Sequence, residues 1–274
     1  MRDIGKVNHT LEILDRFELQ AKKSFGQNFL VDINIIRNIV ECAHIQENTC
    51  VVEIGPGIGG LTEYIARSAK KVIAYDIDER LKDVLAYSLS EYQNVEVRLQ
   101  DFLTVDLQAL AEELKVYDHF IIISNLPYYI TSELLTKIMI SSIKMDCFVG
   151  MMQKEVALKL TSKEKSPLRL MMDYVGEVKY EFTVTANVFI PKPKVDSAVI
   201  SVTFKEMNKE NLNDFYRFLL VCFKQRRKTI YNNLSLTAQD KDKLKEVLKT
   251  CNIDPKLRAE QLSLDQFKEL YDLI

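Results

Sequence analysis

The chain has 274 residues, of which 47% are hydrophobic and 28% charged, a composition that is ordinary for a soluble protein of one large or two modest domains. No apolar run could span a membrane, and no secretory leader or close cysteine pair is present, which predicts a cytoplasmic protein without a disulfide framework or zinc site. The formal net charge of −2 excludes a chain that is basic overall, so any nucleic-acid surface must be local.

The first part of the chain predicts an α/β fold. Residues 1 to about 20 form an N-terminal extension, and Ile33 to His44 has the periodicity of an amphipathic helix. From Thr49 to Met152, apolar runs alternate with helical patterns, which predicts a parallel sheet with helices on both faces. Ligands of such sheets bind beyond the carboxyl ends of the strands, so the residues at these ends are candidates for a site.

A glycine-rich loop, Gly55-Pro56-Gly57-Ile58-Gly59-Gly60, follows the first strand, Cys50–Ile54. Its glycines let the backbone turn sharply and approach a ligand closely. The first, second and fourth glycines fit the dinucleotide fingerprint, whereas the first three fit the tighter loop of methyltransferases. Glu53 lies just before the loop, where it would repel a pyrophosphate but can organise a cationic amino acid group.

The next two strands each end at an acid. Lys71–Tyr75 leads to Asp76, about twenty residues past the first glycine, where a carboxylate can hold both hydroxyls of a ribose. Asn94–Leu99 leads to Asp101, which can accept a hydrogen bond from an adenine amino group, with Phe102 beside the ring. Each acid alone is also explained as a solvated strand end or a helix cap. Three acid-bearing strand ends in succession favour a nucleoside cofactor site.

The fourth strand ends in Ser124-Asn125-Leu126-Pro127-Tyr128-Tyr129. The amide oxygen of Asn125 and a carbonyl of Leu126 or Pro127 can accept both N–H bonds of an exocyclic amino group, with the Tyr128 ring against the base. An amide does not take up a proton, so this site would position the nitrogen and would not act as a general base. The alternative is a strand-end turn, in which the proline ends the ladder and the tyrosine packs in the core.

Two more strands, Lys179–Phe189 and Val195–Phe204, are predicted on either side of a proline-rich loop that cannot continue ladder pairing. Phe189 is interpreted either as a ring above an extruded base or as a core phenylalanine. The polar stretch Lys205–Asn213 is a candidate linker, and every later segment has a helical pattern that ends in a helix capped by Ser263 and Gln266.

A basic cluster lies in this helical part. Between Phe215 and Tyr231 there are five basic residues and no acid, an arrangement typical of an RNA surface or of a solvated helix face. Adjacent side chains on a helix point in different directions, so we expect one member of the cluster to face the protein and pair with a carboxylate. With two lysines of the proline-rich loop, the candidate RNA contacts are Arg226, Arg227, Lys228, Lys192 and Lys194.

Together these motifs resemble the ribosomal RNA adenine N6-dimethyltransferases, the KsgA/Erm superfamily. Seven segments match, and the last two of them, residues 223–229 and 258–263, favour the KsgA-type branch, which acts on the small subunit, over the Erm resistance branch. The matching segments are Ser24-Phe25-Gly26-Gln27-Asn28-Phe29-Leu30, Glu53-Ile54-Gly55-Pro56-Gly57, Asn125-Leu126-Pro127-Tyr128, Gln153-Lys154-Glu155-Val156-Ala157, Phe189-Ile190-Pro191-Lys192-Pro193-Lys194-Val195-Asp196-Ser197, Phe223-Lys224-Gln225-Arg226-Arg227-Lys228-Thr229 and Arg258-Ala259-Glu260-Gln261-Leu262-Ser263.

The resemblance implies a Rossmann-like class I methyltransferase domain over residues 1–205 and a small all-helical domain over 206–274 that contacts RNA. It implies S-adenosylmethionine as cofactor and N6,N6-dimethylation of two adjacent adenosines in a hairpin loop near the 3′ end of small-subunit (16S) ribosomal RNA. We expect a cytoplasmic monomer whose partner is the small ribosomal subunit, with no metal and no membrane association.

The resemblance also assigns roles to individual residues. The target base would be held by Asn125, Leu126, Pro127, Tyr128 and Phe189. The cofactor would be bound by Gln27, Asn28 and Leu30 near its methionine end, by Asp76 at the ribose, by Asp101 at the adenine amino group, and by Glu53, Gly55, Gly57 and Asn125.

The chain departs from the family pattern at three places. Asp76 stands where the family usually has Glu, and Lys159 stands where an Arg is usual. The loop Lys163–Arg169 lacks the usual Gly-Ser-Lys-type turn, so we assign its residues no role. Three other functions stay open at this point: an Erm-type enzyme of the large subunit, a non-catalytic assembly or transcription factor on the same fold, and a nicotinamide oxidoreductase, which the glycine spacing allows.

Overall fold

The computed structural model describes residues 3–22, 26–206, 211–238 and 240–274. Its strands are β1 (Phe29–Leu30), β2 (Thr49–Ile54), β3 (Lys71–Asp76), β4 (Val95–Leu99), β5 (His119–Asn125), β6 (Cys147–Gln153), β7 (Gly176–Val184), β8 (Phe189–Ile190) and β9 (Ser197–Phe204). Its helices are α1 (Val7–Arg16), α2 (Ile33–Cys42), α3 (Gly60–Ala66), α4 (Leu81–Ser88), α5 (Leu107–Leu114), α6 (Thr131–Met139), α7 (Lys154–Thr161), α8 (Pro167–Val175), α9 (Leu212–Cys222), α10 (Ile230–Leu234), α11 (Lys241–Thr250) and α12 (Leu264–Leu273).

The main sheet has seven strands in the order β4-β3-β2-β5-β6-β9-β7. The five strands from β4 to β6 run parallel, whereas β9 pairs antiparallel with both β6 and β7. The chain moves outward from β2 to β4 and then returns to β5 on the other side of β2. Strand order therefore reverses between β2 and β5, and a crevice forms there at the carboxyl ends of the strands.

Both faces of the sheet are covered, because its central strands carry apolar residues on both sides. All six residues of β2 are buried. Val52 and Ile122 face one apolar cluster, while Val51 and Ile121 face the other, as alternation along a strand requires. The α/β class with helices on both faces, predicted from the sequence, is confirmed.

The N-terminal extension packs against α3, α4 and the glycine-rich loop. The backbone N–H of Ile4 donates to the buried carboxylate of Glu63 at 2.7 Å, and Arg67 pairs with Asp3 at 3.0 Å. Ile4 and Ile13 join an apolar cluster with Ile58 of the glycine loop and with α4. The extension is therefore an integral part of the wall behind the glycine loop.

A separate two-stranded ladder joins β1 and β8, with Phe29 opposite Ile190 and Leu30 opposite Phe189. The predicted strand Lys179–Phe189 is therefore wrong at its end, because β7 stops at Val184 and a short 3-10 helix separates it from β8.

Gly26 and the residues after it in the matching N-terminal segment are described, whereas Ser24 and Phe25 lie outside the described residues.

The C-terminal helices pack beside α8, a helix that the sequence did not predict. Phe215 and Leu219 of α9 share one apolar cluster with Leu170 and Met171 of α8. The predicted capping box of the last helix is confirmed, since Ser263 accepts from the Gln266 N–H and Gln266 accepts from the Ser263 N–H. Part of the predicted linker, residues 207–210, lies outside the described chain, and the two-domain division stays a prediction.

Across the described ranges, every helix falls short of the length and apolar character needed to cross a bilayer.

Candidate active site

A cleft opens at the point where strand order reverses, between the glycine loop and the end of β5. Gly55 and Gly57 have φ values of 75° and 57°, which L-residues rarely adopt, and a Cβ at Gly57 would lie 3.2 Å from the Phe29 ring. Eleven predicted site residues line this cleft, and the structure brings together Gln27, Asn28, Leu30, Glu53, Gly55, Gly57, Asp76, Asn125, Leu126, Pro127 and Tyr128.

Asn125 is the last residue of β5, and its amide is oriented by the N-terminal segment. Its Nδ2 donates to the carbonyl of Asn28 at 3.4 Å. Asn125 lines the cleft, and among the described residues no donor bonds its Oδ1, which is left as an acceptor. Asn28 is itself held by a 2.9 Å bond from its Nδ2 to the Gly26 carbonyl.

In the turn after Asn125, the carbonyls of Leu126 and Pro127 differ in whether they already accept hydrogen bonds. The Pro127 carbonyl accepts two hydrogen bonds, from the Ile130 N–H at 3.2 Å and from the Thr131 hydroxyl at 3.0 Å. Two bonds occupy both lone pairs of a carbonyl oxygen. The Leu126 N–H is bonded to Met151 at 2.9 Å, but its carbonyl accepts no hydrogen bond from the described residues. Of the two carbonyls predicted from the sequence, Leu126 is therefore the available acceptor.

Two tyrosines directly follow Pro127 in this turn. Tyr128 is half-buried, and its hydroxyl lies 2.7 Å from the Ser197 hydroxyl. Tyr129 is 49% exposed at the mouth of the cleft, and burial together with the charges of Asp101 and Asp76 raises the pKa of its phenol. Tyr129 directly follows the Asn-Leu-Pro-Tyr motif, and its position in the sequence does not by itself predict a role.

Glu53 is a buried carboxylate at the base of the cleft. It is 1% exposed, and neither oxygen has a hydrogen-bond partner among the described residues. Burial raises the pKa of Glu53 to about 8, and the negative charge of Asp76 acts in the same direction. An ionised, unpartnered carboxylate in such surroundings is costly, so this position is suited to a cationic ligand group.

Asp76 and Asp101 line a second cleft that continues from the first past Gly55, Pro127 and Tyr129. Burial raises the pKa of Asp76 to about 6, against a 2.9 Å bond from the Asp78 N–H. Asp101 caps the 3-10 helix Phe102–Thr104 by accepting from the Leu103 N–H at 2.9 Å. The helix-cap interpretation of Asp101 is thus correct, and its side chain also faces the continuous cleft.

The N-terminal segment closes one side of the site. The side-chain amide of Gln27 donates to Asp78 at 2.9 Å, and Arg80 pairs with the same carboxylate at 2.7 Å. Asp78 is 2% exposed and lies outside the motifs that predict the site. It links the segment that carries Gln27 to the end of β3, next to Asp76.

Phe189 does not line either cleft in the described structure. It is 3% exposed and packs in the apolar cluster that contains Leu30, Val184 and Val199. Of the two interpretations of this ring, the structure has the core phenylalanine, and stacking on a base would require the ring to leave this cluster. Lys192 and Lys194 are exposed in the loop between Phe189 and Ser197.

The basic cluster lies on a loop and not on a helix as predicted. The helix α9 ends at Cys222 and α10 begins at Ile230, so Arg226, Arg227 and Lys228 are exposed in the turn between them. The expected pairing with a carboxylate is present at Arg226, which lies 2.7 Å from Glu164 and 3.6 Å from Glu260. Arg227 and Lys228 form no ion pair with a described residue.

The described side chains include no group of three or more His, Cys, Asp or Glu residues arranged to hold a metal ion.

The sheet order, the glycine loop and the crevice define a class I methyltransferase fold. The 23S rRNA methyltransferase ErmE shares it with 26% sequence identity and a TM-score of 0.68, over 90% of this chain and 99% of that one. A dimethyladenosine transferase from Plasmodium falciparum shares it with 26% identity and a TM-score of 0.75, over 88% and 95% of the two chains.

The sequence model of the ribosomal RNA adenine dimethylase family matches residues 18–274, and the chain belongs to this family. The ribosomal RNA small subunit methyltransferase A of Leuconostoc mesenteroides is 43% identical, over 98% of this chain and 95% of that protein. Its counterpart in Lysinibacillus sphaericus is 41% identical, over 100% and 97%. The resemblance inferred from the motifs is confirmed.

Proposed function

We propose that the chain uses S-adenosylmethionine to dimethylate the N6 atoms of two adjacent adenosines near the 3′ end of small-subunit (16S) ribosomal RNA, during ribosome biogenesis. The relatives at 41–43% identity are named for methylation of small-subunit ribosomal RNA, and they align over nearly the whole chain. The observation that carries the proposal is the pair of open acceptors, the Asn125 amide oxygen and the Leu126 carbonyl, beside a cleft that contains acidic strand ends.

The residues of the cleft fit S-adenosylmethionine. The unpartnered carboxylate of Glu53 matches the ammonium group of the methionine part, and Gln27, Asn28 and Leu30 close that side of the cleft. We propose that Asp76 binds the ribose and Asp101 the adenine amino group, a proposal supported by their position in the wall of the second cleft. When bound, the cofactor would supply an electrophilic methyl group on a sulfonium, and attack of a nitrogen lone pair on that methyl carbon would break the carbon–sulfur bond and release the neutral thioether.

The chain's own contribution is to prepare that nitrogen. The N6 lone pair of adenine is delocalised into the ring, so it must be localised before it can attack. Acceptors at Asn125 and Leu126 bind both N6 hydrogens and favour the pyramidal nitrogen. Tyr128 places its ring against the extruded base. Neither Asn125 nor Leu126 takes up the proton, which the cationic methylated nitrogen releases to solvent. Catalysis therefore comes from orientation and electrostatic preorganisation.

Methyl transfer to purified ribosomal subunits that lack the modification tests this proposal. Small subunits incubated with the chain and radiolabelled S-adenosylmethionine should gain four methyl groups, as two dimethyladenosines, because the two target adenosines each take two. Large subunits are the control for an Erm-type activity, which the similarity to ErmE makes the second candidate. Labelling of large subunits alone would reject the proposed substrate, and labelling of neither would reject the activity.

We infer that the chain acts in the cytoplasm, as a monomer.

A further inference from the structure

Ser197 forms a partly buried hydrogen bond to the hydroxyl of Tyr128, the candidate base-holding ring. Its hydroxyl is 2.7 Å from the Tyr128 hydroxyl, although 69 residues separate the two in sequence. Ser197 is 0% exposed, and Tyr128 lines the cleft. The bond therefore connects the cleft wall to the interior of the sheet.

The backbone of Ser197 is fixed on both sides. It is the first residue of β9 and pairs with Gln153 of β6 and with Val184 of β7. The preceding residue, Asp196, accepts from the Ala186 N–H at 2.9 Å and from the Lys154 N–H at 3.0 Å. A hydroxyl on so constrained a backbone is a rigid anchor for its partner.

We propose that Ser197 is a positioning residue for methyl transfer, which holds the Tyr128 ring at the orientation needed to pack against the target base. This inference rests on the proposed function. A phenol needs two contacts to fix its direction, one for the ring and one for the hydroxyl, and Ser197 supplies the second. The Pro127 turn fixes where the side chain leaves the backbone, and Ser197 fixes where its far end lies.

The same bond engages the Tyr128 hydroxyl with Ser197. Burial raises the pKa of this phenol, and its oxygen is already engaged by a buried partner. The ring face is then the part of Tyr128 that acts on the base. Removal of either hydroxyl should therefore have the same consequence, a ring that is present but less well oriented.

A double-mutant cycle tests this inference. Tyr128→Phe and Ser197→Ala should each lower kcat roughly tenfold, as expected for one lost hydrogen bond at a site where orientation matters. The double variant should also be slower by roughly tenfold and not a hundredfold, because both changes remove the same interaction. The Kd for S-adenosylmethionine and the KM for small subunits should stay near their wild-type values.

Ser201→Ala is the matched control. Ser201 lies on the same strand, is 4% exposed, and donates its hydroxyl to Glu181 away from the cleft. Its replacement should lower Tm about as much as Ser197→Ala while kcat stays unchanged.

Additive effects in the double variant, or a normal kcat in Ser197→Ala, would overturn the inference. If Ser197→Ala does not fold, a normal kcat in Tyr128→Phe overturns it equally. Failure of the proposed function is distinguishable, since the wild-type chain and Ser201→Ala would then transfer no methyl groups at all.

Discussion

The hydroxyl of Ser124 donates to the carbonyl of Ile54 at 2.6 Å, across two neighbouring parallel strands. Ser124 is 0% exposed and directly precedes Asn125, and Ile54 directly precedes Gly55. The bond therefore fixes the distance between the strand end that holds the amide and the strand end that opens the glycine loop.

We expect Ser124→Ala to lower both stability and turnover. The lost hydrogen bond should reduce the free energy of unfolding by about 0.5–1.5 kcal/mol, and the looser junction should reduce kcat. Thermal unfolding and methyl transfer measure the two effects. Ser141→Ala is the control, because Ser141 makes the same kind of bond to the Ile138 carbonyl at 2.8 Å in a part of the fold away from the cleft. A turnover loss of equal size in both variants would contradict a specific role of Ser124.

Asn125→Ala should leave cofactor binding nearly intact and sharply reduce turnover. Asn125 lines the cleft with an Oδ1 that no described residue bonds, while Glu53, Asp76 and Asp101 are the residues proposed for the cofactor. Loss of one preorganised acceptor at a reacting centre costs roughly two to three orders of magnitude in rate. Calorimetry with S-adenosylmethionine and single-turnover methyl transfer measure the two properties separately. Near-normal turnover in a folded variant would exclude the amide from the reaction.

Asp101→Ala should raise the Kd for S-adenosylmethionine by roughly ten- to a hundredfold, because the variant loses a hydrogen bond to a charged acceptor. Asp101 also caps a 3-10 helix, so the variant loses a cap as well as a ligand contact. Asp106→Ala provides the control for the cap, since Asp106 is exposed and caps α5 by accepting from the Gln108 and Ala109 N–H groups. If affinity is unchanged in Asp101→Ala, the side chain is only a cap.

The buried carboxylate of Glu53 should make the stability of the free chain depend on pH. The pKa of Glu53 is raised from 4.5 to about 8 in the folded chain, so between these values the folded state holds a proton that the unfolded state has lost. The free energy of unfolding should therefore fall as pH rises through this window, by at most about 1.4 kcal/mol per pH unit from this group. Asp76, with a pKa raised to about 6, adds a smaller effect of the same sign at the acidic end.

Chemical denaturation of the wild-type chain and of Glu53→Gln across about pH 5 to 8 tests this expectation. The amide cannot ionise, so the variant should lose the part of the slope that Glu53 contributes and should be relatively more stable at the basic end. A slope that is the same in both chains would show that Glu53 titrates near its ordinary value.

The three residues of the basic cluster should not contribute equally to RNA binding. Arg226 is engaged by Glu164 and Glu260, whereas Arg227 and Lys228 are exposed. We expect the Arg227→Ala/Lys228→Ala double variant to bind RNA more weakly. The slope of the logarithm of the binding constant against the logarithm of salt concentration should become shallower by about 0.7–0.9 per lost phosphate contact. Arg226→Ala should change the salt slope less. Filter binding at several salt concentrations measures both, and unchanged binding in the double variant would leave the cluster as a solvated surface.

The sequence predicted the sheet and most of the cleft because both follow local rules. Apolar runs that alternate with helical patterns predict parallel strands, and parallel strands bring their carboxyl ends to one edge of the sheet. Asp76, Asp101 and Asn125 were therefore expected at that edge, and they line the two clefts there. The bond between Tyr128 and Ser197 was not predictable, because residues 69 apart meet only through the insertion of β9 between two other strands.

Other errors have equally specific causes. The helical pattern around Arg226 continues past Cys222, where α9 ends, but in the turn that follows the Gln225 N–H bonds the Asn233 side chain of α10 at 2.9 Å, a long-range contact that periodicity does not contain. Phe189 was ambiguous because a core ring and a base-stacking ring have the same sequence signature, and only its 3% exposure distinguishes them in this structure.

The position of β9 between β6 and β7 also determines when the site can form during synthesis. The outer edge of β6, a strand with six of its seven residues buried, stays unpaired until Ser197–Phe204 has left the ribosome. At roughly 5–20 residues per second, the stretch from Gln153 to Ser197 takes about 2–9 s to make. During that interval the nascent chain exposes an apolar strand edge, the kind of surface that aggregates or recruits chaperones. The contact between Ser197 and Tyr128 at the cleft wall therefore forms only once β9, the last of the described strands in chain order, has been made.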